Sequence, residues 1–286
     1  MYNNISGLLR LAQGKSIWQA VLQNEAKAFG RTEEEVFLEL DKRFSVMEAS
    51  AEKALEKSLE TAGGLIEGVA KAQWSFALSS GGLCGDFINK LMARALSCSE
   101  VNASMGRICA FPTAGACGII PAVLISIGEK LELPRRTVLE AMLAAAGIGA
   151  IIQKNATVSG AEGGCQAECG VAAAMAAAAA VQMAGGDPEK SMHALSFALI
   201  NCMGLACDPI AGLVQVPCAQ RNASQAVNAL LSADMALAGM KCVIPADEVI
   251  EAMRRTGKML PPQLKETAQG GIAATPAGKK LRDKIF

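Results

Sequence analysis

Apolar residues return at helical spacing along nearly the whole chain. Val36, Phe37, Leu40 and Phe44 fall on one face, and Thr32 followed three residues later by Glu35 supplies both halves of a capping box ahead of them. That pattern predicts a long amphipathic helix from Thr32 toward Thr61, ended by Gly63-Gly64 because glycine readily takes the left-handed turn after a last helical residue. Ser80-Gly-Gly82 and Gly85 interrupt the next segment, after which Phe87, Leu91 and Leu96, with Lys90 and Arg94 between them, predict a helix over 86–97. Further helices are predicted over 119–130, 134–152, 166–184, 189–205, 219–239 and 246–256. Pro134 suits the first turn of the second of these, and Gly185-Gly186-Asp-Pro188 stops the third. Residues 257–286, with Pro261, Pro262 and Gly270-Gly271, read as an irregular tail draped over the rest. Almost no stretch alternates apolar and polar residues with β-branched enrichment. The predicted fold class is therefore all-α, a compact Ala/Gly-rich multi-helix bundle whose Gly/Pro loops converge on one site.

Composition sharpens this picture. The helices from 135 onward are rich in small residues, which lets helix backbones approach closely, whereas the first hundred residues are more charged and suit an outer layer or a partner-binding surface. The 286 residues are read as one domain. Lys plus Arg and Asp plus Glu both number 27, so net charge is zero and no basic run follows a phosphate backbone; nucleic acid is not expected as a partner. Ten cysteines fall far below the roughly 8–10% of secreted disulfide scaffolds, and Met1-Tyr-Asn-Asn lacks a basic leader, so a reducing cytoplasm is the expected compartment. The longest apolar stretches, 139–152 and 171–184, fall short of the ~20 residues a membrane crossing needs, and no membrane association is expected.

Three cysteines sit in loops bounded by Gly or Pro: Cys165 in Glu162-Gly-Gly-Cys-Gln166, Cys207 in Cys207-Asp-Pro-Ile-Ala-Gly212, and Cys218 in Val216-Pro-Cys-Ala-Gln220. Such backbone can wrap an inorganic centre, and three thiolates would leave one coordination position open. The competing reading is that each is a small buried hydrophobe, and the spacing of Cys207 and Cys218 matches no compact zinc pattern. Cys84, Cys98, Cys169, Cys202 and Cys242 fall in helical runs and are assigned to core; Cys109 reads as buried, and Cys117 lies in a helix-entry loop. That loop, Pro112-Thr-Ala-Gly-Ala-Cys-Gly118, can present amides to an anion such as a carboxylate, or can be a tight interhelix turn. Thr113, Ala114 and Gly115 are its candidate substrate-binding residues. Lys154-Asn-Ala-Thr-Val-Ser-Gly160 places a lysine, an amide and two hydroxyls just before Cys165, making Lys154 and Ser159 candidate catalytic residues and Asn155 a further substrate contact. Lys154 equally suits a helix C-terminus as a plain cation. His193, the only histidine, suits a solvent-facing position, so a general base falls to Lys, a carboxylate or a thiolate.

Phe111-Pro-Thr-Ala-Gly-Ala-Cys-Gly-Ile-Ile-Pro-Ala122, Ser159-Gly-Ala-Glu-Gly-Gly-Cys-Gln166 and the run from Gly204 through Cys207 and Cys218 to Asn222 closely resemble the α chain of iron–sulfur-dependent bacterial L-serine dehydratase. Gly270-Gly-Ile-Ala-Ala-Thr-Pro-Ala-Gly278 resembles it too, and the likeness covers essentially the whole chain. The resemblance implies an all-helical lyase subunit that converts L-serine to pyruvate and ammonia, with a [4Fe–4S] cluster on Cys165, Cys207 and Cys218. In single-chain relatives a small α/β domain precedes this region and a cysteine ends the chain. Here the chain opens in the catalytic region and ends Lys284-Ile-Phe286, which implies a separate β chain and a hetero-oligomer. Two other readings remain: a pyridoxal-phosphate dehydratase using Lys154, which needs an α/β phosphate cup, and a non-catalytic redox-sensing helical subunit.

Overall fold

A computed structural model describes residues 2–80 and 82–286. Its helices, in chain order, are α1 (Ile5–Leu11), α2 (Ile17–Phe29), α3 (Glu33–Glu52), α4 (Val69–Ser80), α5 (Gly85–Ala103), α6 (Ile119–Lys130) and α7 (Arg135–Asn155). There follow α8 (Gly160–Gly163), α9 (Val171–Met183), α10 (Pro188–Asn201), α11 (Cys218–Leu237), α12 (Ala246–Met259) and α13 (Pro276–Ile285). No β-strand occurs among the described residues, and the fold is all-α as expected.

The Ala-rich run forms the centre. From Val171 through Val181 every residue of α9 is buried, and the helix packs against α6, α7, α10 and α11. A helix apolar all round belongs inside, and alanine faces let four neighbours approach it. Glycines mark the tightest crossings. A Cβ on Gly118 would lie 2.3 Å from the carbonyl oxygen of Ala95, and one on Gly149 would lie 2.7 Å from Met175 Cε. Among the described residues one helix, α7, is long and apolar enough to cross a membrane, and 67% of its apolar stretch is buried within the bundle.

Larger side chains do the packing in α1–α3. Ile5, Leu8, Ile17, Phe37, Phe44 and Met47 enter the main core, and Arg136 stacks its guanidinium 3.4 Å from the centroid of Phe37. Neither α1 nor α2 was predicted. The expected capping box is formed: Thr32 accepts from the Glu35 amide and Glu35 from the Thr32 amide.

Helix α3 stops at Glu52, nine residues short of Thr61, because α5 captures the amides that would continue it. Ser97 Oγ takes the Ala54 amide at 3.0 Å, and the fully buried Glu100 takes those of Leu59, Gly68 and Ala70 at 2.8, 3.0 and 3.3 Å. A carboxylate that accepts three backbone hydrogen bonds is satisfied without a cation. Gly81, part of the predicted interruption at 80–82, lies outside the described residues. The prediction for 119–130 matches α6 at both ends, and those for 134–152, 189–205, 219–239 and 246–256 correspond to α7, α10, α11 and α12. The tail is more regular than expected. Helix α12 runs on to Met259, and α13 begins at Pro276 with Thr275 as cap, its hydroxyl accepting the Gly278 amide.

Candidate thiol-cluster site

The helix predicted over 166–184 enters through a π-turn at Gln166–Gly170 before α9 begins. This stacks Cys165, Glu168 and Cys169 on one side, with their ligand atoms all within 4.8 Å of one another. Gln166 fixes the turn from beneath: its Nε2 donates to the carbonyls of Gly163 and Met253, and its Oε1 accepts from the Gly204 amide. The Gln166 amide itself donates to the Leu205 carbonyl at 3.1 Å, which draws the Cys207 loop alongside.

Cys207 is held by a short parallel bridge to the C-terminal segment. Its amide donates to Leu264 at 2.9 Å, and the Glu266 amide donates to its carbonyl at 2.8 Å. Cys218 opens α11, so Arg221 and Asn222, three and four residues on, share its face. Arg221 reaches three groups: Nη1 donates to Cys165 Sγ at 3.3 Å and to the Ala206 carbonyl at 2.7 Å, and Nη2 to Asp208 Oδ1 at 2.8 Å. Asp208 in turn accepts the Ile272 amide at 2.8 Å, and a Cβ on Gly271 would fall 2.0 Å from its carboxylate. Asn222, 1% exposed, accepts the Gly118 amide and donates to the carbonyls of Gly115 and Cys218. One side chain thereby joins the Thr113–Gly118 loop to the Cys218 helix end.

The three predicted metal ligands are buried, at 1%, 2% and 6% exposure for Cys165, Cys207 and Cys218. The Cys165 thiol is strongly lowered, first by hydrogen bonds from the thiols of Cys169 and Cys207 and then, against its burial, by the Arg221 charge. Cys207 is raised, chiefly because its proton is the one donated to Cys165, and burial pushes Cys218 up to about 12. One thiolate stabilised by neighbouring thiols and a guanidinium is a site prepared for a cation of soft character. By the chemistry of its donors the site fits an iron–sulfur group.

The Thr113 loop stands beside these thiols. Thr113 Oγ1 donates to Glu168 Oε1 at 2.7 Å and accepts the Ala116 amide at 3.2 Å. A Cβ on Gly115 would come within 2.4 Å of Glu168 Oε1, so the glycine admits that carboxylate. Burial, with the Cys165 and Glu266 charges adding to it, raises Glu168 to about 7 against the Thr113 hydrogen bond.

Lys154 and Asn155 are exposed and turned to the N-terminal segment. Lys154 Nζ donates to Asn3 Oδ1 at 2.5 Å and Asn155 Nδ2 to the Asn3 carbonyl at 2.8 Å. The end of α7 is thus a clasp for the chain leading into α1, whose Ile5 and Ser6 amides are also held by Asp247. Ser159 is half-buried, and its amide donates to Thr157 Oγ1 as the chain enters α8. Of the cysteines assigned to core, Cys98 and Cys202 are buried there; Cys169 is buried but belongs to the thiol group. Two assignments are corrected. Cys84 is exposed in the turn before α5, where Gly82 and Gly85 take positive φ, and Cys242 is half-buried in the link between α11 and α12. Cys109 is half-buried rather than buried. His193 is half-buried and accepts the Cys242 amide.

Sequence reasoning passed over Glu168, Asp208, Arg221, Asn222 and Glu266. The first and the two on α11 carried a signal: polar residues three or four places after a loop cysteine lie on that cysteine's face. Nothing local marked Glu266, which reaches the site across the tertiary fold.

An all-helical bundle that gathers buried thiols, one guanidinium and the carboxylates of Glu168, Asp208 and Glu266 beside a glycine-bearing loop defines a class of thiol-cluster protein. The chain belongs to the family described as "Serine dehydratase alpha chain", which matches residues 12–273. It is 50% identical over 270 residues to the "L-serine dehydratase, alpha chain" of Peptoniphilus asaccharolyticus, covering 94% of this chain and 92% of that one. It is 44% identical over 288 residues to the "Probable L-serine dehydratase, alpha chain" of Bacillus subtilis (strain 168), covering 100% and 96%. "L-serine dehydratase 1" of Escherichia coli (strain K12) is 37% identical over 270 residues, 91% of this chain but 58% of that longer protein.

Proposed function

We propose that this chain is the catalytic α subunit of an L-serine dehydratase that forms pyruvate and ammonia. The observation that carries this reading is the buried Cys165 beside Cys169, with Arg221 Nη1 donating to its Sγ at 3.3 Å and Cys207 and Cys218 buried on the adjoining segments, within a chain half identical to a named L-serine dehydratase α chain. Cys165, Cys207 and Cys218 would hold a [4Fe–4S] cluster, which when bound supplies a Lewis acid for departure of the serine hydroxyl. The protein's own groups do the rest. The amides of Ala114 and Gly115, which donate to nothing among the described residues, receive the substrate carboxylate on a loop that the Thr113 hydroxyl ties to Glu168. Arg221 holds the Cys165 side chain in place, and Asp208 holds Arg221. Loss of the α-proton and the β-hydroxyl gives aminoacrylate, which tautomerises to an imine and hydrolyses in water.

The α-chain names of the relatives support a β-chain partner, so turnover is expected of the αβ assembly in the cytoplasm. A pyridoxal reading would need an α/β frame, and among the described residues there is no strand to build one. Iron and acid-labile sulfide analysis of anaerobically purified protein, with pyruvate formation from L-serine, tests the proposal. Air should remove both iron and activity, and ferrous iron with a thiol should restore them. Activity without iron would overturn it.

A further inference from the structure

Glu168 and Glu266 come from segments nearly a hundred residues apart and meet above one glycine. A Cβ on Gly160 would lie 3.1 Å from Cys207 Sγ, 3.2 Å from Glu168 Oε2 and 3.3 Å from Glu266 Oε2. No Lys, Arg or His among the described residues pairs with either carboxylate. Their donors are the Thr113 hydroxyl, on Glu168, and the Ala161 amide, on Glu266. Glu266 also sits at a φ of 62°, a left-handed conformation that side chains avoid, held there by its amide bond to the Cys207 carbonyl. Two facing carboxylates repel one another, and in a partly buried site that repulsion favours a cationic ligand.

Across Thr113 the charges are of opposite kind. The amides of Ala114 and Gly115 donate to nothing among the described residues, while Glu168 abuts Gly115 directly. Free donors for an anion therefore adjoin carboxylates that no side-chain cation among the described residues pairs, and an amino-acid zwitterion presents those two charges on one carbon. We propose that Glu168 and Glu266 receive the α-ammonium group of the substrate. The inference rests on the serine dehydratase reading and adds to it a selectivity for amino acids over hydroxy acids. With the carboxylate at the loop and the ammonium at the two glutamates, the line between two of the four substituents of the α-carbon is set.

The test compares L-alanine with L-lactate, which keeps the carboxylate and the methyl group but has a hydroxyl in place of the ammonium; neither carries a β-leaving group, so neither is turned over. Both are titrated by calorimetry into the anaerobic holoenzyme, with its partner chain, as wild type, Glu266→Gln and Glu168→Gln. Each glutamine should weaken L-alanine about tenfold or more, the scale of one lost hydrogen bond to a charged group, and leave L-lactate within about twofold. The KM for L-serine should rise in parallel for Glu266→Gln, with iron content unchanged. Equal weakening of both ligands, or no weakening of L-alanine, would overturn the proposal. A wild-type holoenzyme that makes no pyruvate from L-serine would overturn the functional reading alone, since the calorimetric selectivity is read without turnover. Glu266 lies at the exposed rim, so its variant is measurable even where Glu168→Gln fails to fold.

Discussion

Two groups of cysteines are equally hidden and chemically opposite. Cys98 and Cys117, on α5 and just before α6, are 0% and 2% exposed; Cys165 and Cys207 are 1% and 2%. The first pair makes its hydrogen bonds with a serine and a backbone carbonyl and has no cation beside it among the described residues: Cys98 meets Ser50 Oγ at 3.4 Å, and Cys117 donates to the Cys98 carbonyl at 3.7 Å. Burial raises both, Cys98 to about 12. Around the second there are further thiols, a guanidinium and three carboxylates, and one thiol is lowered instead. Burial makes a cysteine inert, and convergence of charged and polar groups from several loops makes it a ligand.

The largest effect expected from this contrast is on iron. Cys165→Ser, Cys207→Ser and Cys218→Ser should each abolish cluster retention, while Cys98→Ala and Cys117→Ala should keep full iron and cost about 1 kcal/mol of stability. Iron analysis and thermal unfolding check this together, and a fully loaded, active variant at 207 or 218 would break the comparison. The exposed Cys84 and the half-buried Cys242 provide neutral controls as Cys84→Ser and Cys242→Ser.

Next in size is Gly115→Val. Its Cβ would occupy the place of Glu168 Oε1, so valine must evict the carboxylate from Thr113. Iron should stay near normal while turnover falls by about 100-fold, the scale set by misplaced substrate groups. Loss of iron and unfolding would instead make the loop a structural turn. The smallest effect is that of Thr113→Ala, which removes one hydroxyl that both donates to Glu168 and accepts the Ala116 amide. Steady-state kinetics should show KM for L-serine raised about tenfold, equivalent to ~1.5 kcal/mol. Unchanged kinetics in both variants would place carboxylate binding elsewhere.

Read from the sequence, the helical core was legible because its signals are local. The boundaries of α6, the capping box at Thr32 and the apolar run of α9 each follow from residues within a few turns of one another. So were the loop cysteines, since Gly and Pro beside a thiol are local marks as well. What failed was decided at a distance. Helix α3 stops where Ser97 and Glu100, over forty residues away, offer better acceptors than its own carbonyls. Lys154 and Asn155 sit beside the site in sequence, yet the turn of α7 delivers them to Asn3.

By itself the sequence determined that this chain is helical, Ala-packed at its centre and supplied with thiols on flexible-backbone loops. Only the tertiary structure decided which polar groups attend those thiols. Arg221, Asn222, Asp208 and Glu266 act through contacts between elements, and such contacts depend on where chain ends and turns are brought by packing, a quantity that no local periodicity encodes.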